Sequence, residues 1–228
     1  MAFSFNEVYE KEEMNFGELQ TQVSNKVGYN DQSEKIPTYI NSAIHQLEQE
    51  DDWPHMETRA TGNLTSSQDY IAIPSKYKNV VTLKITDSDQ EIFLRKGSYE
   101  TIINLYPFGI TSKACPKRFA KKKSESNFIV RPYPDKTYAY ELISNNYSTD
   151  LSASSNTNYW TDENWEIVMY GALIQWELDS GSKLTLGTEE VPLSPALLYA
   201  NLLRILRRNR TTEKYTNGVS YASSVYAQ

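Results

Sequence analysis

The sequence predicts an α+β fold: terminal helix pairs packed as a small helical bundle, an inserted antiparallel β unit and an extended C-terminal tail. Apolar residues recur at steps of three and four near both ends, while the middle third holds short β-branched and aromatic runs broken by turn residues. The last residues are polar and dotted with Tyr, with no apolar face. Residues 1–55 and 156–210 are expected to form one helical domain and 56–155 the β subdomain, with 211–228 a tail that orders only against a partner.

Asn15-Phe16-Gly17-Glu18 has the spacing of a capping box, and Phe16, Leu19, Val23 and Val27 follow on one helical face until Gly28 stops it. A second start at Asp31 to Glu34 leads into Ile36, Tyr39, Ile40, Ala43, Ile44 and Leu47, with Pro37 tolerated in the first turn. That helix is expected to end near Trp53-Pro54. Tyr70 to Ile73, Val80 to Ile85 and Ile92 to Leu94 read as strands, separated by turns at Pro74-Ser75-Lys76 and Thr86 to Asp89; Thr61-Gly62-Asn63 reads as a turn as well. Ser98 to Tyr106 is a short helix. Asn127 to Val130 and Thr137 to Ile143 are expected to pair antiparallel across a turn at Tyr133-Pro134-Asp135-Lys136. Thr161 is the expected N-cap of a helix with Trp165, Val168, Met169, Ala172, Leu173 and Trp176 on its apolar face and Gly181 at its end. Ser194-Pro195 opens the last helix, with Leu198, Leu202, Ile205 and Leu206 on one face and arginines in its last turns.

At 228 residues the chain can bury a real core, and 39% hydrophobic against 23% charged residues excludes a disordered, collagen-like or coiled-coil chain. A net charge of −6 argues against a general nucleic-acid coat, so contact with DNA must be local. One Cys cannot form an intramolecular disulfide. The first residues lack a secretory pattern and no stretch is long and apolar enough to span a bilayer, so a soluble protein made in the cytosol is expected, with no membrane partner.

Catalytic chemistry finds few carriers. His45 lies beside the second helix's apolar stripe and His55 in a loop, neither with a second positioned group. Cys115 has no partner His. Asp51-Asp52, Asp87 with Asp89, and Glu189-Glu190 lack the spacing of a calcium loop, and no phosphate-binding Gly-rich loop is present. No enzyme, cofactor or metal is expected. What remains is basic: Lys113, Lys117, Arg118, Lys121, Lys122 and Lys123 in an expected loop, and Arg204, Arg207, Arg208 and Arg210 at the end of the last helix. The first cluster reads as a solvated hairpin tip or as a local contact with phosphates or an acidic partner. With 17 Tyr in the chain, extensive subunit contact is a natural use for such residues.

The order of parts resembles the head-to-tail connector, or adaptor, proteins of tailed bacteriophages. The resemblance spans roughly 16 to 210 and rests on the N-terminal helix pair, Tyr70-Ile71-Ala72-Ile73-Pro74-Ser75-Lys76-Tyr77, Phe128-Ile129-Val130-Arg131-Pro132-Tyr133-Pro134 with Tyr138-Ala139-Tyr140-Glu141-Leu142, and Tyr159 through Leu173. In such proteins a segment like 70–77 reads leucine-proline-x-aspartate-phenylalanine; here Ile73 and Tyr77 keep the apolar ends and Lys76 replaces the acid. The resemblance implies a structural virion protein in the neck, made in the host cytoplasm and forming a homo-oligomeric ring, commonly of twelve copies. That ring sits beneath the portal, meets other neck or tail proteins, and surrounds genomic DNA without sequence specificity. By the same analogy Arg204, Arg207, Arg208, Arg210, Tyr215, Tyr221 and Tyr226 contact portal or a neighbouring subunit. Lys117, Arg118, Lys121, Lys122 and Lys123 face the channel or a second ring. The competing readings are a carbohydrate- or cell-surface-binding β module of a phage tail, suggested by the Tyr and Trp content, and a small hydrolase using Asp or Glu, for which no suitably spaced pair exists.

Overall fold

The computed structural model describes residues 13–28, 34–107, 113–122, 126–187 and 192–216. The N-terminal elements are α1 (Phe16–Val27) and α2 (Ile36–Glu50). The strands β1 (Glu57–Leu64), β2 (Tyr70–Ala72), β3 (Tyr77–Asp87), β4 (Gln90–Phe93) and β5 (Arg95–Lys96) follow, then α3 (Tyr99–Leu105), β6 (Arg118–Lys121), β7 (Asn127–Arg131) and β8 (Tyr138–Asn146). The chain continues through α4 (Tyr159–Glu163), α5 (Trp165–Ser180), β9 (Leu186–Gly187), β10 (Pro192–Leu193) and α6 (Pro195–Thr216). This is the α+β class the sequence predicts. Two compact units divide the elements, Met1–Leu47 with Asp150–Gln228, and Glu48–Thr149.

In the first unit, local chemistry sets the helix ends. Asn15 Oδ1 accepts the Glu18 amide N–H and Glu18 Oε2 accepts the Asn15 amide N–H, each at 2.9 Å, which satisfies two donors the first turn leaves over. Gly28 and Gly181 close α1 and α5 with φ of 70° and 69°, a region open to Gly without a Cβ penalty. Pro37 occupies the second position of α2, whose predicted stripe of Ile36, Tyr39, Ile40, Ala43, Ile44 and Leu47 is buried. α2 stops at Glu50, short of Trp53. α5 packs on α1 and α6. It buries Ile167, Val168, Met169, Gly171, Ala172, Leu173 and Trp176, more of its circumference than one apolar face, as befits a helix with neighbours on several sides. Trp165 is only half-buried.

Two expected boundaries move. The helix expected to be capped by Thr161, α5, starts at Trp165 behind Asn164, which makes no side-chain cap bond, and Thr161 lies in the separate short α4 capped by Asn158. Asn158 Oδ1 accepts the amides of Trp160 at 3.0 Å and Thr161 at 3.1 Å, and Thr161 Oγ1 accepts the Asn158 amide at 2.8 Å. The last helix also continues six residues beyond Arg210, through part of the expected tail, to Thr216. Extending a nucleated helix needs no apolar face, only the absence of a breaker, and Thr211-Thr212-Glu213-Lys214-Tyr215 contains neither Gly nor Pro. Residues 217–228 lie outside the described residues.

Tyr39 and Lys35 converge on Asp179, with Nζ of Lys35 at 2.7 Å and the Tyr39 hydroxyl donating at 2.6 Å. These bonds, Lys35 first, hold the Asp179 carboxyl below its ordinary value, while burial and then Asp179 push Tyr39 up to about 12. A lowered carboxylate contributes stability above its unfolded pKa and loses it as pH falls through the folded one. Tyr39→Phe is therefore expected to raise the Asp179 pKa part of the way back and to reduce the loss of stability in acid. A carbon-detected NMR titration that finds Asp179 unmoved removes the hydroxyl from this account.

In the second unit two sheets face each other, β1-β8-β3-β4 and β2-β7-β6-β5. Leu64, Leu83, Ile85, Tyr138 and Leu142 of the first meet Ile71, Phe119, Phe128 and Val130 of the second. Phe119 and Phe128 stack edge-to-face with centroids 5.7 Å apart. The other face of the second sheet, Ala120 and Ile129, is covered by Ile102 of α3, the short helix expected over Ser98 to Tyr106, in which Ser98 is the N-cap and Tyr106 the C-cap. The expected hairpin between Asn127–Val130 and Thr137–Ile143 does not form: β7 pairs with β2 and β6, and β8 with β1 and β3. Pro132 and Pro134 carry no N–H to continue the ladder. The segment between them instead bonds elsewhere, Ala114 N donating to Tyr133 O at 2.8 Å and Ser67 N to Pro134 O at 3.0 Å, and the chain changes sheet. The expected turn at Thr61-Gly62-Asn63 is also strand, paired in register with Glu141, Tyr140 and Ala139. A Cβ on Gly62 would lie 2.7 Å from the Tyr140 hydroxyl, so the ring occupies the space Gly leaves.

In the first unit, α2 bonds the residues that re-enter it at 150 and 151. Asn41 bonds both the amide and the carbonyl of Leu151, at 2.9 and 3.0 Å, and His45 Nε2 lies 2.9 Å from Asp150 Oδ1. The fully buried Glu48 carboxylate accepts the Ser148 amide at 2.8 Å and the Ser148 hydroxyl. Within the second unit, Lys78 Nζ donates to the carbonyls of Glu48 and Asp51 at 2.6 and 2.7 Å.

Candidate interaction surfaces

α6 begins with the Ser194 hydroxyl accepting the Leu197 amide at 3.3 Å and Pro195 in the first position. Its buried side is Pro195, Tyr199 and Leu203, rotated from the predicted stripe. Leu198, Leu202 and Leu206 are half-buried and Ile205 is 44% exposed. Apolar residues occupy more of this helix than the packing on α5 covers, and Tyr199 and Leu203 take the inner places. Leu197, Asn201, Arg204 and Arg208, at steps of four, three and four, form a row on the exposed side, with Arg207 also exposed and Arg210 half-buried. Leu197 is 49% exposed. Along α6 the cations Arg204, Arg207, Arg208, Arg210 and Lys214 face a single acid in sequence, Glu213, within a chain of net charge −6. The arrangement is a basic helical face with apolar residues set into it. Tyr215 lies in the last turn of α6, whereas Tyr221 and Tyr226 are outside the described residues.

The lysine run is not the loop predicted. Arg118 to Lys121 form β6, because Phe119 and Ala120 are buried on opposite faces of the sheet. Strand alternation then divides the charges. Lys121, on the Phe119 side, places Nζ 4.9 Å from the Tyr77 ring centre, while Lys122 lies 5.8 Å from that of Tyr99. Lys117 and Lys121 are exposed, Arg118 and Lys122 half-buried, and Lys123 falls outside the described residues. A sequence cluster thus becomes two smaller groups.

Sequence reasoning gave Arg131 no role, yet it is 6% exposed and its guanidinium is bonded within the second unit, although its Nε is buried without a hydrogen-bond partner among the described residues. Its Nη1 lies 2.8 Å from Asp69 and donates to Val130 O at 2.8 Å, Nη2 donates to the Tyr133 hydroxyl at 3.1 Å, and the guanidinium lies over the Tyr133 ring. A groove of about 390 Å³ crosses the outer face of the first sheet between Asn63, Lys84, Glu91 and Glu141. Its charges pair with one another, Lys84 with Glu91 at 2.7 Å and with Glu141 at 3.5 Å. Burial pushes the Cys115 thiol up, away from the thiolate that reactive chemistry needs. Among the described residues no three His, Cys, Asp or Glu side chains converge to hold a metal ion, and no helix is long and apolar enough to cross a membrane.

A family model described as SU10 adaptor protein matches residues 14–219, from just before α1 to just past α6. The chain belongs to the SU10 adaptor protein family. No curated protein matches it. Membership makes the adaptor a structural protein of a bacteriophage and a component of the virion, in line with the resemblance drawn from its helix pairs and proline-centred segments. The partners of such a protein are other virion proteins.

Proposed function

We propose that the adaptor assembles as a dodecameric ring beneath the portal, joins capsid to tail, and surrounds the genome as it leaves. The observation that carries this reading is the exposed face of α6, where Arg204, Arg207 and Arg208 stand beside the exposed Leu197 and Ile205 in an otherwise acidic protein. Head-to-tail contacts between copies close a ring when the rotation permits. The α6 face and residues 211–228 meet portal or the neighbouring subunit. Lys117 and Lys121, the exposed members of the lysine group, face the channel or a second ring, where contact with phosphates is sequence-independent and weakened by salt.

Native mass spectrometry of the full chain with portal added is expected to show closed oligomers. Arg204→Glu with Arg208→Glu is expected to weaken assembly about tenfold or more, since reversed charges set against a complementary surface cost several kcal/mol. Circular dichroism should be unchanged, because both side chains are exposed. A chain that stays monomeric with portal present overturns the ring. Wild-type assembly by the double variant removes α6 from it.

A further inference from the structure

The two sheets of the second unit have four edges, and three are short: β2 has three residues, β4 four and β5 two. β1 is the exception. It runs eight residues without Pro or a break in its register with β8, and from Thr58 on its partner strand is β8, only the first residue, Glu57, donating its N–H to the Pro54 carbonyl. A long, regular, open edge is a template for another strand, which monomeric proteins avoid by shortening, bulging or covering it. The opposite edge of the same sheet, β4, displays Phe93 at 62% exposed.

We propose that β1 of one copy pairs with β4 of the next, so that the first sheet runs on from subunit to subunit; this rests on the ring proposed above. Backbone direction allows it. β1, β8, β3 and β4 alternate, so the two edges run in opposite senses, and a neighbour in the same orientation brings its β1 antiparallel to β4. The faces also match. Arg59 and Thr61 share the outer face with Glu91 and Phe93, while Ala60 and Ile92 lie on the core side. The register that sets Arg59 opposite Phe93 sets Ala60 opposite Ile92 and Thr61 opposite Glu91. It lays a guanidinium on an exposed ring, joins two apolar side chains on the core side, and places Arg59 diagonal to Glu91. Both charges are accessible, with side-chain exposures of 67% for Arg59 and 53% for Glu91, although each already has a partner within its own sheet.

The test uses the full chain with Cys115→Ser, Thr61→Cys and Glu91→Cys, oxidised mildly with portal present. β8 and β3 separate the two positions within one chain by roughly 14 Å at ordinary strand spacing, beyond the ~7 Å Cα separation a disulfide spans. Any bond between them therefore joins two copies. A ladder of covalent multimers is expected on a non-reducing gel, monomer from either single-cysteine chain, and a fainter ladder when Phe93→Lys is added. Closed oligomers in native mass spectrometry without a ladder overturn the β1–β4 contact and leave the ring standing. A covalent dimer from Thr61→Cys alone assigns the edge to a two-fold β1–β1 pairing and also overturns it. Absence of any oligomer removes the ring, and this contact with it.

Discussion

Trp160→Ala is expected to cost the first unit about 3–5 kcal/mol, the range for emptying a large aromatic site in a packed core. Trp160 is 0% exposed and heads the fully buried side chains by size. It sits in α4, whose backbone is fixed at both ends: Asn158 Oδ1 accepts the Trp160 amide at 3.0 Å, and the Trp160 carbonyl accepts the Asn164 amide at 3.0 Å. With the chain held in this way the neighbours cannot collapse into the vacated volume, which puts the cost toward the upper end. Domains of this size have total stabilities of about 5–15 kcal/mol, so roughly a fifth or more of the margin is at stake. Urea unfolding followed by near-ultraviolet circular dichroism reads the loss. Trp165→Ala, in the next helix but only half-buried, is the control and should cost clearly less. Equal costs at the two positions would mean that burial does not decide the effect.

The parts of this fold that were legible in the sequence are those set by local chemistry. Asn15 with Glu18, Gly28, Ser98, Gly181 and Ser194 mark helix ends because the groups they satisfy lie within four residues of them. Strand pairing is not local. Nothing near Asn127 says that β7 joins β2 and β6 and not the nearby β8, since that choice depends on which faces bury Phe128 and Val130. Turn propensity misled at Thr61-Gly62-Asn63, where pairing with β8 and the cover of the Tyr140 ring outweigh a preference worth a fraction of a kcal/mol. β6 was hidden for a related reason: Phe119-Ala120 is too short an apolar run to stand out among lysines, and only its two buried faces identify it.

The interaction surfaces followed the same division. Arg204, Arg207 and Arg208 were readable as one face because helical spacing fixes their neighbourhood once the helix is known. Lys117 to Lys122 were not, because a strand sends alternate residues to opposite faces and the strand itself had been missed. The open edge of β1 left no mark in the sequence at all. An edge is a property of sheet order, and sheet order was the part not written locally.

Gly171→Ala separates local preference from packing in a single substitution. In an exposed helix interior this change stabilises by about 1 kcal/mol, because Ala is the better helix former. Gly171 lies inside α5 where that helix approaches α2, and a Cβ built there would stand 2.8 Å from the Cβ of Ala43 and 3.4 Å from the Tyr199 ring. The Ala43 methyl is fixed to its backbone and cannot swing aside, so relief requires one helix to move. Overpacking of this kind costs about 1–3 kcal/mol. The expected result is therefore a lower melting temperature than wild type, opposite in sign to the propensity scale. Ala43→Gly combined with Gly171→Ala moves the methyl from one helix to the other and should recover part of the loss, which a double-mutant cycle measures as coupling between the two positions. A stabilised single variant, or strictly additive effects, would show that α2 and α5 do not meet as closely as these two residues require.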